Sequence, residues 1–139
     1  MGVIAMTAME NRELASINTT SKTILVVDDA DFIRRLISII LTIDGYTVIE
    51  ADNGKEALDI LGKTRVDIII TDLNMPVMDG IELVSAMRSE PAYKHIPVVM
   101  LTSEFLESRK QKAFDSGINE WVPKPYITSK LRDLVFKYA

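Results

Sequence analysis

The sequence predicts an α/β fold in which a parallel sheet carries helices on both faces. Three observations lead there. From Thr23 onward, short apolar runs alternate with longer amphipathic stretches in the order βαβαβαβαβα. The first, third and fourth runs are apolar almost throughout, as strands covered on both faces should be. The chain has 139 residues, 47% hydrophobic and 26% charged, which suits one soluble globular domain.

Each element follows from its own pattern. Thr23-Ile24-Leu25-Val26-Val27 is a continuous apolar run that stops at two aspartates. Phe32 to Ile43 is the first helix, with Phe32, Leu36, Ile39, Ile40 and Ile43 spaced for one inward face. Asp31 is its expected N-cap, and Gly45 ends it. Thr47-Val48-Ile49 is a second, short strand. Asn53-Gly54 opens a helix that turns Ala57, Leu58 and Leu61 inward and stops at Gly62. Val66 to Ile70 is the third strand, running into Thr71 and Asp72. Ile81, Val84 and Met87 mark a third helix. Ile96 to Leu101 is the fourth strand, with Pro97 tolerable near its start. Phe105 to Phe114 is the fourth helix, and Gly117 lies just past it. Glu120-Trp121-Val122 is a brief fifth strand. Thr128 can cap a last helix bearing Leu131, Leu134, Val135 and Tyr138.

Residues 1–22 read differently. They carry few branched apolar residues and end in the polar string from Ser16 to Lys22, so an extension, mobile or weakly helical, is expected before a domain over 23–139. The short apolar stretch near Met1 has no positive charge ahead of it, which makes a poor signal peptide. Met6 stands where a myristoylation motif wants Ser or Thr. No apolar run is long enough to span a bilayer. The expected compartment is the cytoplasm. There are no cysteines and the one histidine is His95, so disulfide scaffolds and Cys- or His-based metal sites are excluded. A net charge of −4 argues against broad nucleic-acid binding, and no DNA partner is expected.

In an open parallel sheet, ligands bind outside the carboxyl ends of the strands. Here strand one ends in Asp28 and Asp29, strand three in Asp72, strand four in Thr102 and Ser103, and strand five near Lys124. Three carboxylates, one or two hydroxyls and an amine therefore arrive at a single edge. Clustered carboxylates repel one another, and a hard divalent cation relieves that repulsion. Mg²⁺ suits such a set, because it takes oxygen ligands and combines one or two carboxylates with a phosphate. Asp28 and Asp29 suit metal holding. Asp72 can hold metal and also attack phosphorus. Lys124 can pair with a phosphoryl oxygen, and the Thr102 hydroxyl can donate to another. Singly, each has a plainer reading: turn aspartates, a surface lysine, an N-cap threonine. Their arrival at successive strand ends is what favours phosphoryl chemistry.

The stretches ILVVDDADFIRRL, IIITDLNMPVMDGIEL, IPVVMLTSE and GINEWVPKPY, in this order, resemble the receiver domains of two-component response regulators from about Thr23 to Ala139. The resemblance implies a doubly wound five-stranded sheet of order 2-1-3-4-5 with five helices. It implies that Asp72 is the phospho-acceptor and that Asp28 and Asp29 organise Mg²⁺, with the Asn74 backbone carbonyl as a further ligand. Lys124 then bonds the acyl phosphate, the Lys124–Pro125 peptide is cis, and Thr102 is the switch hydroxyl. The switch aromatic, usually Tyr or Phe, falls at Trp121, whose indole is larger than a phenol and has a single N–H donor. An outward ring or a plain packing role stays open for Trp121. Asn74 and Glu104 occupy the positions that tune phosphate lifetime, and this pair resembles that of chemotaxis regulators with short-lived phosphates; Glu104 reads equally as a helix N-terminal charge.

The expectation is a single-domain regulator, not an enzyme in its own right. A phosphohistidine on a sensor kinase or a phosphotransfer protein would supply the phosphoryl group. A target protein would bind the face made by helix four, strand five and helix five. Two alternatives remain: a relay carrier that passes its phosphoryl group to a histidine phosphotransfer protein, and a scaffold that works without phosphate. The complete set of Asp28, Asp29, Asp72, Thr102 and Lys124 argues against the scaffold. A small phosphatase is the weakest reading, since fold alone does not set function.

Overall fold

The computed structural model describes residues 21–126 and 128–139, so the expected extension lies, but for its last two residues, outside the described residues. The elements are β1 (Thr23–Val27), α1 (Asp31–Ile43), β2 (Thr47–Ala51), α2 (Gly54–Leu61), β3 (Ile68–Thr71), α3 (Gly80–Arg88), β4 (Val98–Thr102), α4 (Glu107–Ser116), β5 (Glu120–Pro123) and α5 (Thr128–Tyr138). The five strands form one parallel sheet in the order β2-β1-β3-β4-β5. This is the sheet expected from the alternation and the family resemblance.

Side-chain alternation along the strands builds two cores, one on each face. Leu25, Val27, Ile69, Val98 and Met100 face one way and pack with Ala57 and Leu61 of α2, Leu83 and Met87 of α3, and Ala113 of α4. Ile24, Val26, Ile68, Ile70, Val99 and Leu101 face the other way and pack with Ile37 and Leu41 of α1 and Leu131 and Val135 of α5. Both parities of β1, β3 and β4 are buried, which explains why those runs are apolar almost throughout.

The first helix departs from its expected orientation. Phe32, Leu36, Ile39 and Ile43 point outward, and Ile37, Ser38 and Leu41 are buried with Ile33 packed beside them. The sequence of α1 offers two apolar stripes, and periodicity cannot rank them. Arg34 identifies the inner one. Its guanidinium donates to the Asp28 carbonyl at 2.7 Å and to Glu50 of β2 at 3.0 Å, while the buried Ser38 hydroxyl donates to the Arg34 carbonyl. Asp31 is not the N-cap. Ala30 holds that position, Asp31 is the first helical residue, and Asp28 Oδ1 accepts the Ala30 N–H.

Other boundaries moved by two residues or fewer. β2 runs on to Ala51, β3 begins at Ile68, and β4 covers Val98 to Thr102. α4 begins at Glu107, which leaves Phe105 and Leu106 exposed in the preceding loop. Leu58 of α2 is only partly buried. Thr128 is the first residue of α5, and the residue before it lies outside the described residues.

Caps and turns fix the loops near the carboxyl edge. Asn53 accepts the Glu56 N–H at the start of α2. Asp79 and Glu82 form a reciprocal capping box at the start of α3. Gly80 sits so close to β3 that a Cβ there would collide with the Asp72 carbonyl oxygen. At the opposite end, Gly117 closes α4 with φ +116, and Arg88 covers it, donating to the Gly117 carbonyl at 2.9 and 3.1 Å. Burial lowers the Arg88 pKa.

The loop between β3 and α3 holds a strained residue. The Met78 N–H donates to the Pro76 carbonyl at 2.8 Å, which makes Val77, at φ 71, the centre of a γ-turn in the left-handed region. A β-branched side chain pays for that backbone in strain. Val77 is exposed, so its side chain offers little packing in return. The Val77→Gly protein should therefore be more stable than the wild type by about 1 kcal/mol in urea denaturation, the relieved strain exceeding the entropy cost of glycine.

Candidate functional site at the carboxyl edge of the sheet

Parallel pairing delivers the polar residues to one place. Val27 pairs with Ala51 on one side and Thr71 on the other, so Asp28 and Asp72 leave adjacent strands at the same level. The Asp72 N–H donates to the Val27 carbonyl at 2.9 Å and the Asp28 N–H to the Ala51 carbonyl at 3.1 Å, which extends the ladder into both aspartates. Thr102 pairs with Pro123, and the Lys124 N–H donates to the Thr102 carbonyl at 2.8 Å. The lysine thus enters from the far side of β4.

The charged groups meet. Lys124 Nζ donates to Asp28 Oδ2 at 2.9 Å and lies 3.3 Å from Asp72 Oδ2. Asp28 is buried, Asp72 is partly buried and Asp29 is exposed. Carboxylate oxygens of Asp28, Asp29 and Asp72 all lie within 4.8 Å of one another. Three acidic oxygens at that separation fit a hard, oxygen-loving divalent cation such as Mg²⁺. The other oxygen of each carboxylate is held by backbone: Asp28 Oδ1 accepts the Ala30 N–H, and Asp72 Oδ1 accepts the Leu73 N–H, with lone pairs still free on both groups.

The other expected residues take these positions. Asn74 is exposed, two residues beyond Asp72. Ser103, also exposed, makes no bond among those described. Thr102 is fully buried, and its Oγ1 accepts the Glu104 N–H at 3.1 Å. Glu104 Oε2 in turn accepts the N–H groups of Phe105 and Leu106 at 3.1 and 3.4 Å, so its side chain organises the loop before α4. Trp121 lies on β5 opposite Met100, half-buried against the core formed with α2, α3 and α4. The Lys124–Pro125 peptide is cis.

One participant had no signal in the sequence. Arg109 of α4 reaches Glu104 and the α3 cap Asp79, each at 3.7 Å, and so ties the loop after Thr102 to the helix after Asp72. No local pattern marks it, because its partners lie on two separate loops.

A β2-β1-β3-β4-β5 parallel sheet with an acidic cluster, a hydroxyl and a lysine at its carboxyl edge defines a receiver-type α/β protein. The chain belongs to the response regulator receiver domain family, whose model matches residues 24–136. It is 40% identical over 112 residues to a chemotaxis protein CheY homolog of Campylobacter jejuni, covering 79% of this chain and 86% of that one. It is 39% identical over 115 residues to the chemotaxis protein CheY of Pseudomonas aeruginosa, covering 82% and 93%. The structure of the chemotaxis protein CheY4 of Vibrio cholerae superposes with a TM-score of 0.81 at 38% identity, covering 86% of this chain and all of that one. This is a CheY-like receiver of two-component signalling. Among the described residues, no helix is long and apolar enough to cross a membrane.

The electrostatics of Lys124 give a pH prediction. Burial lowers the pKa of its ammonium, but the Asp28 hydrogen bond and the charges of Asp72 and Asp28 outweigh that, and the net shift is upward. A raised folded-state pKa means the contribution is fully present below the ordinary lysine pKa and is lost as pH rises through the folded value. In urea titrations from neutral pH upward, the wild type should lose a component of stability above the ordinary lysine range that Lys124→Met never shows.

Proposed function

We propose that the protein is a phosphorylation switch in which Asp72 accepts a phosphoryl group from a phosphohistidine donor. The observation that carries this is Lys124 Nζ lying between Asp28 and Asp72, within 2.9 and 3.3 Å, beside an acidic triad. An Asp72 carboxylate oxygen attacks phosphorus, the P–N bond to the donor imidazole breaks, and the nitrogen leaves with the electron pair. The product on Asp72 is an acyl phosphate. Asp28, Asp29 and Asp72, with the Asn74 carbonyl, would hold Mg²⁺, which when bound neutralises charge on the phosphoryl oxygens. Lys124 then moves its hydrogen bond from Asp72 to a phosphoryl oxygen, and Thr102 offers its hydroxyl to another.

The output follows from that hydroxyl. Thr102 now accepts from Glu104, whose carboxylate organises the Phe105–Leu106 loop. Turning Thr102 toward Asp72 breaks that bond and shifts the surface of α4, β5 and α5, with Trp121 beneath it. A target protein binds that face in only one of the two states. Passing from 1:99 to 99:1 takes about 5.5 kcal/mol of differential interaction. A new charge-assisted bond to Thr102 supplies part of it at about 1.5–3 kcal/mol, and Lys124 adds the difference between its bond to a phosphoryl oxygen and the one it gives up at Asp72. The likeness to chemotaxis proteins supports a chemotaxis-type pathway, with a sensor kinase or phosphotransfer protein upstream. Residues 23–139 form the receiver unit in this reading, and Asn74 and Glu104 set the phosphate lifetime.

Two experiments test it. A radiolabelled small phosphodonor with Mg²⁺ should label the wild type and leave Asp72→Asn unlabelled; equal labelling of both would end the proposal. In the second, millimolar Mg²⁺ should raise the melting temperature of the wild type, and the rise should disappear in Asp28→Asn with Asp29→Asn. An unchanged Mg²⁺ response in that variant would remove the acidic pair from the metal site.

A further inference from the structure

Arg34 lies behind the acidic cluster, and the phosphorylation chemistry does not use it. Its guanidinium donates in three directions: Nη1 to the Asp28 carbonyl at 2.7 Å, Nη2 to Asp31 at 2.7 Å and Nε to Glu50 at 3.0 Å. The side chain is only 12% exposed. Local structure sets this up. Asp31 stands three residues earlier on α1, at a spacing that brings helical side chains together. Glu50 is opposite Val26 in the β1–β2 register, on the face of the sheet that α1 covers.

The carbonyl that Arg34 holds belongs to the peptide between Asp28 and Asp29. That peptide joins two of the three carboxylates whose oxygens lie within 4.8 Å of one another. Asp28 is anchored elsewhere by its N–H on the Ala51 carbonyl, by the Ala30 N–H on Oδ1 and by Lys124 on Oδ2. Its carbonyl accepts no backbone N–H among the described residues, so Arg34 is the group that satisfies it. Asp29 is exposed, and its side chain makes no hydrogen bond among those described. Its place is therefore set by the peptide before it. We infer that Arg34 is a positioning residue of the Mg²⁺ site: it pins the Asp28–Asp29 peptide so that both carboxylates face one cation, and it does not touch that cation. The inference rests on the metal-site reading above and adds to it a residue outside the acidic triad. Asp31 and Glu50 balance the guanidinium charge, so Arg34 does not compete with metal for the cluster. A planar fork with three separate partners is a geometry that lysine cannot reproduce.

The sign of the effect separates positioning from charge. Removing a cation near a Mg²⁺ site should tighten Mg²⁺ by Coulomb's law, whereas losing the pin should weaken it. The test is the Mg²⁺ Kd of the full chain without phosphodonor, read from the amide shifts of Asp29 and Leu73 at about 15 °C, near the temperature of greatest stability. Arg34→Met should raise Kd about tenfold or more, as expected for a partner behind metal ligands. Arg34→Lys should fall between Arg34→Met and the wild type. Arg35→Met removes an exposed cation that also pairs with Glu50, and it should bind within about twofold of the wild type. A merely structural role would lower the urea midpoint of Arg34→Met and leave the Kd of its folded form unchanged; that result overturns the inference. So does tighter binding in Arg34→Met, or a loss in Arg35→Met equal to that in Arg34→Met. If circular dichroism shows Arg34→Met unfolded, Arg34→Lys decides, and a wild-type Kd there overturns the inference. A wild type that binds no Mg²⁺ overturns the metal-site reading together with this inference. A wild type that binds normally beside an unchanged Arg34→Met overturns this inference alone.

Discussion

The ammonium of Lys124 between the carboxylates of Asp28 and Asp72 is the interaction on which the edge of this protein depends. It joins groups carried by three strands, β1, β3 and β5, of which only the first two are neighbours in the sheet. Two partly desolvated carboxylates facing each other repel, and either one unpaired would be costly. The lysine makes their approach stable while Asp72 stays within reach of solvent. The backbone enforces the same arrangement, because the register of β4 and β5 places Lys124 N–H on the Thr102 carbonyl. Under the proposed function, the scaffold presents the accepting carboxylate beside the cation that would stabilise its phosphorylated form.

Around that centre the loops differ in how firmly they are held. The α3 start is locked by a reciprocal capping box and by the close approach of Gly80 to the Asp72 carbonyl. The loop after β3 is strained at Val77. The loop after β4 is held by the Glu104 carboxylate, by one bond to Thr102, and by the span of Arg109 to Glu104 and Asp79. Thr102 is thus tied to α4 through Glu104 and Arg109, while Asp72 lies beside the more firmly held loop.

Much of this was legible in the sequence. The strands β1, β3 and β4 are apolar on both parities, and a parallel sheet is the architecture that buries both faces of a strand. The convergence of the candidate residues was legible for the same reason: Asp28, Asp29, Asp72 and Lys124 follow strands, Thr102 ends one, and strand ends converge. The outward face of α1 was not legible. Phe32, Leu36, Ile39 and Ile43 satisfy helical periodicity as well as Ile33, Ile37 and Leu41 do. The choice falls to a tertiary contact, Arg34 against Asp28 and Glu50, which periodicity cannot see. Asp31 was misread because Asp28 already takes the Ala30 N–H that begins the helix. Arg109 and the left-handed Val77 were invisible because each depends on how two loops meet or turn, and neither leaves a residue pattern behind.

The relative strengths around Thr102 decide whether such a site can work as a switch under the proposed function. What holds the hydroxyl in place is one neutral hydrogen bond, worth about 0.5–1.5 kcal/mol net. What holds its loop to α3 is a pair of partly exposed ion contacts at 3.7 Å, worth no more than about 1 kcal/mol each. A phosphoryl oxygen offers Thr102 a charge-assisted bond worth about twice a neutral one. The resting arrangement is therefore strong enough to persist and weak enough to lose. Had Glu104 and Arg109 formed a buried bidentate pair, the loop would stay with α3 and phosphate on Asp72 would have little to move. The modest strength of those contacts is the physical condition for a signal to leave the site.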